Sequence, residues 1–204
     1  MKKLQWDKVR VLVANYCNYK CPFCHNEGQD KTTTKERMSL QSFRRLVDIL
    51  SNQPISEFNI SGGEPFLNED IVDMILYIND NLDCDISCAT NLSLIKPEHI
   101  SVLSGTRIKF NIQFPFATAE AFKRSTVTGN LDRILTNIDL LCAENIQVGL
   151  NTVVQSDDFS SISTLIDFAL ERGLPLKLLP QIGLSGSNQF LNLSLIHISE
   201  PTRH

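Results

Sequence analysis

The chain has 204 residues, 42% of them hydrophobic and 21% charged, with a formal net charge of -4. That length supports one domain whose core needs no disulfide staples, and the slightly acidic balance excludes a surface built to collect phosphate backbones, so bulk nucleic acid is not an expected partner. The apolar run near the start, Val11 to Ala14, is too short for a signal segment or a membrane span.

The expectation is therefore a cytoplasmic protein in which the six cysteines are not a disulfide framework. Scattered cysteines then read as packing residues and clustered ones as metal or catalytic groups. Cys84, Cys88 and Cys142 are scattered, whereas Cys17, Cys21 and Cys24 lie in one short stretch, "CNYKCPFCHNEG".

In chain order, "VRVLVA" (9–14) predicts a first strand, followed by the clustered cysteines. Leu40, Phe43, Leu46, Val47 and Leu50 then fall at helical spacing. "EFNIS" (57–61) predicts a second strand, closed by "SGGEP". An Asn68 cap with Glu69 and Asp70 in the first turn predicts a helix carrying Ile71, Met74, Ile75, Ile78 and Leu82.

A third strand, "CDISCAT" (84–90), precedes a weaker helix over Pro97 to Leu103, and a fourth, "IKFNIQF" (108–114), precedes a helix striped by Leu131, Ile134, Leu135, Ile138, Leu141 and Cys142. On that stripe Cys142 reads as a packed thiol. "IQVGLNTVV" (146–154) is a fifth strand, a helix from Phe159 ends at Gly173, and "LKLLP" (176–180) is a sixth. Six strands joined by helical crossovers predict an α/β fold with a parallel sheet buried on both faces, either open and doubly wound or curved like a barrel.

Ligands of such sheets bind at the carboxyl ends of the strands. The unusual residues collect there: the three cysteines after the first strand, "SGGEP" after the second, Thr90 and Asn91 after the third, Asn111 and Gln113 on the fourth, Asn151 on the fifth. Three thiolates suit zinc or an iron-sulfur cluster. A structural zinc site takes four ligands, and His25 adjoins Cys24 too closely to converge with it on one ion. A cluster held by three thiolates keeps one iron open. Paired glycines at a strand end allow a ligand close to the backbone, and Glu64 or backbone carbonyls are placed to meet an ammonium group.

These motifs, Cys-x3-Cys-x2-Cys after one strand and GGEP after the next, resemble those of the radical S-adenosylmethionine (SAM) superfamily over about Lys8 to Gly183. The resemblance implies a partial (βα)6 TIM-like barrel. It also implies a [4Fe-4S] cluster on Cys17, Cys21 and Cys24, with SAM held near Phe23, Gly62, Gly63, Glu64 and Asn111. The implied reaction is reductive cleavage of SAM to a 5'-deoxyadenosyl radical that abstracts hydrogen from a small-molecule or peptide substrate, fed by a reduced flavodoxin- or ferredoxin-type donor. Within the superfamily, "VRVLVANYCNYKCPFCHNEG", "NISGGEPFL" and "LDRILTNIDLLCAENIQVGLNTVV" are similar to the GTP 3',8-cyclase family of molybdenum-cofactor biosynthesis.

By that similarity Arg10, Asn59 and Asn91 are substrate-side positions. Asn59 stands where the cyclases have an arginine and Gly149 where they have a lysine, a loss of two charge-assisted contacts of ~1.5 to 3 kcal/mol each. A peptide-modifying radical SAM enzyme is the alternative substrate class. A structural zinc or electron-transfer module is the alternative from another class.

The last residues, "LSLIHISEPTRH" (193–204), resemble a translated sequencing-library adapter. Residues 1–192 are then expected to form the core domain, truncated after the sixth strand.

Overall fold

The computed structural model describes residues 7–24, 34–154 and 159–180. The 193–204 tail and His25 lie outside these residues. Six strands form one sheet in the order β1-β2-β3-β4-β5-β6, every neighbouring pair parallel. They are β1 (Lys8–Leu12), β2 (Glu57–Ser61), β3 (Asp85–Thr90), β4 (Ile108–Gln113), β5 (Gln147–Val154) and β6 (Leu176–Pro180). Between them run α1 (Leu40–Leu50), α2 (Ile71–Asn81), α3 (Pro97–Leu103), α4 (Ala119–Thr126), α5 (Leu131–Ala143) and α6 (Phe159–Glu171). Sequential order with a helix in each crossover is what right-handed βαβ units produce. Among the described residues no helix is long and apolar enough to cross a membrane.

The core lies between the sheet and its helices. Phe58, Ile60, Ile86, Cys88, Ile108, Phe110 and Ile112 alternate along β2 to β4 and are almost fully buried. They pack with Phe43 and Val47 of α1, Met74, Ile75 and Ile78 of α2, and Leu103 of α3. Each such side chain contributes about 1.5 to 3 kcal/mol of burial, so the helix-facing side carries the stability.

The intervening residues make a different face. Arg10, Asn59 and Ser87 stand in one register row, and Asn111 pairs with both Ala89 and Gly149. Along β4 burial alternates strictly, with Lys109, Asn111 and Gln113 the half-buried members. The expectation of a sheet buried on both faces is corrected: helices cover one face, while the other is polar and opens into cavities.

Three local expectations also change. Asn68 does not cap α2, which starts at Ile71 with Asp70 in the cap position. Its Oδ1 accepts the Asp70 N–H at 3.1 Å, and its amide donates to the carbonyls of Val13 and Met38 at 3.0 and 2.9 Å. Asn68 thus ties β1 to the approach of α1. Cys142 is exposed, because it lies one step round α5 from the buried Leu141. Helix α4 was not expected. Phe122 is its one fully buried hydrophobic, too little to make a stripe.

Candidate active site at the strand ends

The GGEP segment and the cysteine loop are joined through their backbones. Val13 N–H donates to the Ser61 carbonyl at 2.9 Å, Gly63 N–H to Ala14 at 2.9 Å and Glu64 N–H to Tyr16 at 3.0 Å. A side chain at Gly62, whose φ is +153°, would stand 2.5 Å from the Ala14 carbonyl oxygen, and one at Gly63 would collide with the Tyr16 carbonyl and sit 2.8 Å from the Cys17 nitrogen. The two glycines are therefore what allow the loops to touch.

A cavity of about 350 Å³ opens where these loops meet. Its lining includes Arg10, Cys17, Cys21, Phe23, Cys24, Gly62, Gly63, Asn91 and Asn111 from the sequence-derived set. Tyr19, Ser61, Thr90, Gln113 and Asn151 complete its polar wall. The adjoining cavity of about 510 Å³ shares Asn111 and Asn151 and extends past Gly149 to Lys109, Lys177 and the apolar side of α6.

Two sequence-derived residues do not line either cavity. Glu64 is completely buried. Its carboxylate accepts from Thr90 Oγ1 and the Asn91 N–H, both at 2.7 Å, and from the Phe66 N–H at 3.0 Å. Its side chain braces the end of β3, leaving the backbone of Gly62 and Gly63 as the surface offered to a ligand. Asn59 donates to Ser87 Oγ at 2.7 Å, and Ser87 donates to Glu57 at 2.9 Å. Its side chain is thus bonded within the polar face of the sheet, beside Arg10 in the register.

Burial governs the site's electrostatics. The Cys21 thiol is pushed up to about 12 by burial first and by the Cys17 and Cys24 charges next. Burial likewise raises Cys17, against the Tyr19 N–H that favours its thiolate. Whatever holds these sulfurs as thiolates must bring positive charge, and its binding releases protons. Among the described residues no three His, Cys, Asp or Glu side chains are gathered as one metal ion requires. The thiols line a cavity wall instead.

Helix α4 supports the loop from outside. Lys20 N–H donates to the Thr126 carbonyl at 3.3 Å and Thr128 Oγ1 to the Asn18 carbonyl at 2.9 Å. The residues that sequence reasoning passed over, Asn18, Tyr19 and Ser93, carry no motif; only Asn18 and Tyr19, between two motif cysteines, had a positional signal.

Three parallel-strand loops converging thiols, glycine backbone and amides on one cavity define a radical SAM domain. The Radical SAM superfamily profile matches residues 11–169, and the chain belongs to that family. It is 27% identical over 197 residues to the GTP 3',8-cyclase of Clostridium perfringens, covering 95% of this chain and 61% of that protein. A probable GTP 3',8-cyclase of Thermococcus kodakarensis is 30% identical over 172 residues, covering 84% of this chain and 55% of the relative. The chain thus spans little more than half the length of these curated relatives.

Among solved structures, Streptococcus suis SuiB bound to S-adenosylmethionine superposes with a TM-score of 0.79 at 17% identity, over 91% of this chain and 43% of SuiB. Native anSMEcpe with bound AdoMet gives 0.72 at 16% identity, over 91% of this chain and 55% of that one. These likenesses establish the partial-barrel fold.

Proposed function

We propose that this chain forms the catalytic core of a radical SAM enzyme. In it Cys17, Cys21 and Cys24 hold a [4Fe-4S] cluster, and the Gly62–Gly63 backbone with Phe23 and Asn111 receives SAM. The observation that carries this reading is the meeting of all three thiols and both glycines on one cavity. When bound, the cluster supplies the electron that cleaves SAM to methionine and the 5'-deoxyadenosyl radical, the species that abstracts hydrogen from substrate.

The chain's own residues supply geometry. Gly62 and Gly63 keep the floor free of side chains, Glu64 fixes β3 against that floor, and Gln113 offers a buried Nε2 that has no hydrogen-bond partner among the described residues. Such an orphaned donor on a cavity wall suits a polar ligand.

The substrate is a small molecule or peptide. The relatives' names point to GTP cyclisation, yet the two positions where the resemblance implies cations carry none: Asn59 is engaged with Ser87, and Gly149 has no side chain. Arg10, which donates to Ser61 Oγ at 3.2 Å, is the guanidinium at the cavity rim. A reduced flavodoxin- or ferredoxin-type protein is the electron donor of this reading.

The test is anaerobic reconstitution with iron and sulfide, then SAM and dithionite. The expected product is 5'-deoxyadenosine, abolished by Cys24→Ala. Zinc without iron in the purified protein, or an intact cluster that yields no deoxyadenosine, would sink the reading.

A further inference from the structure

Asn91, read from sequence as a substrate-side residue, is occupied otherwise. Its Nδ2 donates to Cys17 Sγ at 3.7 Å and to Asn18 Oδ1 at 2.8 Å. Its Oδ1 accepts from the Ser93 N–H at 3.0 Å and from Ser93 Oγ at 2.7 Å. Asn18 Nδ2 donates in turn to Ser93 Oγ at 2.8 Å. The donors run one way round a closed ring, Asn91 to Asn18 to Ser93 and back to Asn91.

The ring fixes the amide's orientation. A backbone N–H only donates, so the oxygen of Asn91 has to face Ser93, and its NH₂ has to face Cys17. Both amide protons and both oxygen lone pairs are used. The Asn91 backbone is held as well, its N–H donating to the buried carboxylate of Glu64 at 2.7 Å.

Cys17 Sγ thereby accepts two N–H donors, the backbone of Tyr19 at 3.3 Å and the amide of Asn91. Asn91, just past the end of β3, is among the described residues the side chain that donates to a loop-cysteine sulfur from outside the loop. We infer that Asn91 is a positioning residue that tunes the reduction potential of the cluster on Cys17, through an amide donor locked in place by the Asn18–Ser93 ring. The inference rests on the cluster assignment proposed above.

The physics is charge assistance. A reduced cluster carries one more negative charge, much of it on sulfur, so an N–H donor stabilises the reduced form more than the oxidised form and raises the potential. Removing it lowers the potential, and a tenfold weaker hold on the electron corresponds to about 59 mV for a one-electron couple.

The experiment is a mediated redox titration of the reconstituted full chain, read by cluster absorbance and electron paramagnetic resonance, with iron and sulfide assayed in each sample. Asn91→Ala is expected to keep the cluster and to lower its midpoint by a tenfold equivalent or more. Asn18→Ala, which opens the ring and leaves the donor, is expected to lower it by less. An unchanged midpoint in Asn91→Ala with full iron content overturns the inference, as does iron loss with the midpoint of the remaining clusters unmoved.

If Asn91→Ala does not retain a cluster, wild-type protein labelled with side-chain nitrogen-15 asparagine decides. Pulsed resonance of its reduced cluster is expected to show coupling to that nitrogen, and its absence overturns the inference. Failure of wild-type protein to bind iron at all would instead refute the cluster assignment, so the two failures are told apart.

Discussion

The carboxylate of Glu64 accepts the backbone N–H of Asn91 at 2.7 Å, joining the GGEP turn to the strand that braces the cysteine loop. With Thr90 and Phe66 it has three donors for one wholly buried carboxylate. Glu64→Gln places an NH₂ where one donor now points, which leaves a buried N–H unpaired at a cost of about 1 to 3 kcal/mol. Urea unfolding at neutral pH measures that loss.

The pH dependence has a definite sign. Burial raises the Glu64 carboxyl above its ordinary value despite the three donors. The native state then binds the proton more tightly than the unfolded chain, so this group's contribution to stability grows as pH falls through the native value and is lost as pH rises through it. The variant lacks that titration. The stability gap between wild type and Glu64→Gln should therefore widen on acidification, down to the ordinary carboxyl value; a gap that narrows contradicts the assignment.

Gly63→Ala tests the contact between loops. Its methyl would meet the Tyr16 carbonyl and stand 2.8 Å from the Cys17 nitrogen, both backbone groups. Overpacking of this kind costs about 1 to 3 kcal/mol, and here the yielding element is the segment that carries Cys17. The expected result is a lower melting temperature together with reduced iron and sulfide after reconstitution. Gly105→Ala is the control: φ is +80° there with nothing within 4 Å of the added carbon. It should cost only local strain of ~1 to 2 kcal/mol and leave iron content unchanged.

Much of the fold was legible. All six strands lie within two residues of their expected bounds, because Val, Ile and Phe alternate on the helix-facing side of the sheet. The polar partners of that alternation, Asn59, Ser87, Asn111 and Asn151, mark the opposite face, which the expectation of two-sided burial overlooked. The cavity was legible through its motifs, since Cys17, Cys21, Cys24, Gly62 and Gly63 are all on its wall.

What could not be read is long-range bonding. The amide of Asn91 reaches Asn18 across 73 residues, and nothing in the sequence between them encodes that the two amides meet. The partners of Glu64 were hidden for the same reason. The motif places its carboxylate at a strand end, but not the Phe66 and Asn91 N–H groups and the Thr90 hydroxyl that converge on it.

Cysteine labelling separates the two classes of thiol. Cys84 and Cys88 are buried between sheet and helices, and Cys142 is exposed on α5. Brief treatment of folded protein with iodoacetamide should modify Cys142 and spare Cys84 and Cys88, as read by peptide mass spectrometry. In the cluster-loaded protein Cys17, Cys21 and Cys24 should also be spared, and become reactive after iron is chelated. Labelling of Cys88 ahead of Cys142 in folded protein would contradict the packing described.

Gly149 offers a direct test of whether a missing cation weakens GTP binding at this site. A side chain there would start 3.5 Å from Asn111 Oδ1 and 3.6 Å from Lys109 Cε, both ordinary contacts. The first carbon of a side chain is therefore tolerated there, and Gly149→Lys, extending into the cavity that Gly149 lines, adds an ammonium to the polar face beside the shared wall of the two cavities. One charge-assisted contact of about 1.5 kcal/mol corresponds to roughly tenfold in affinity. Calorimetric titration of the variant should show GTP binding about tenfold tighter than wild type at low salt, with the gain shrinking as salt screens it. Guanosine, which has no phosphates, should bind the two proteins equally. If guanosine gains as much as GTP, the added lysine acts by filling space, and the lack of a cation at this position does not limit GTP binding.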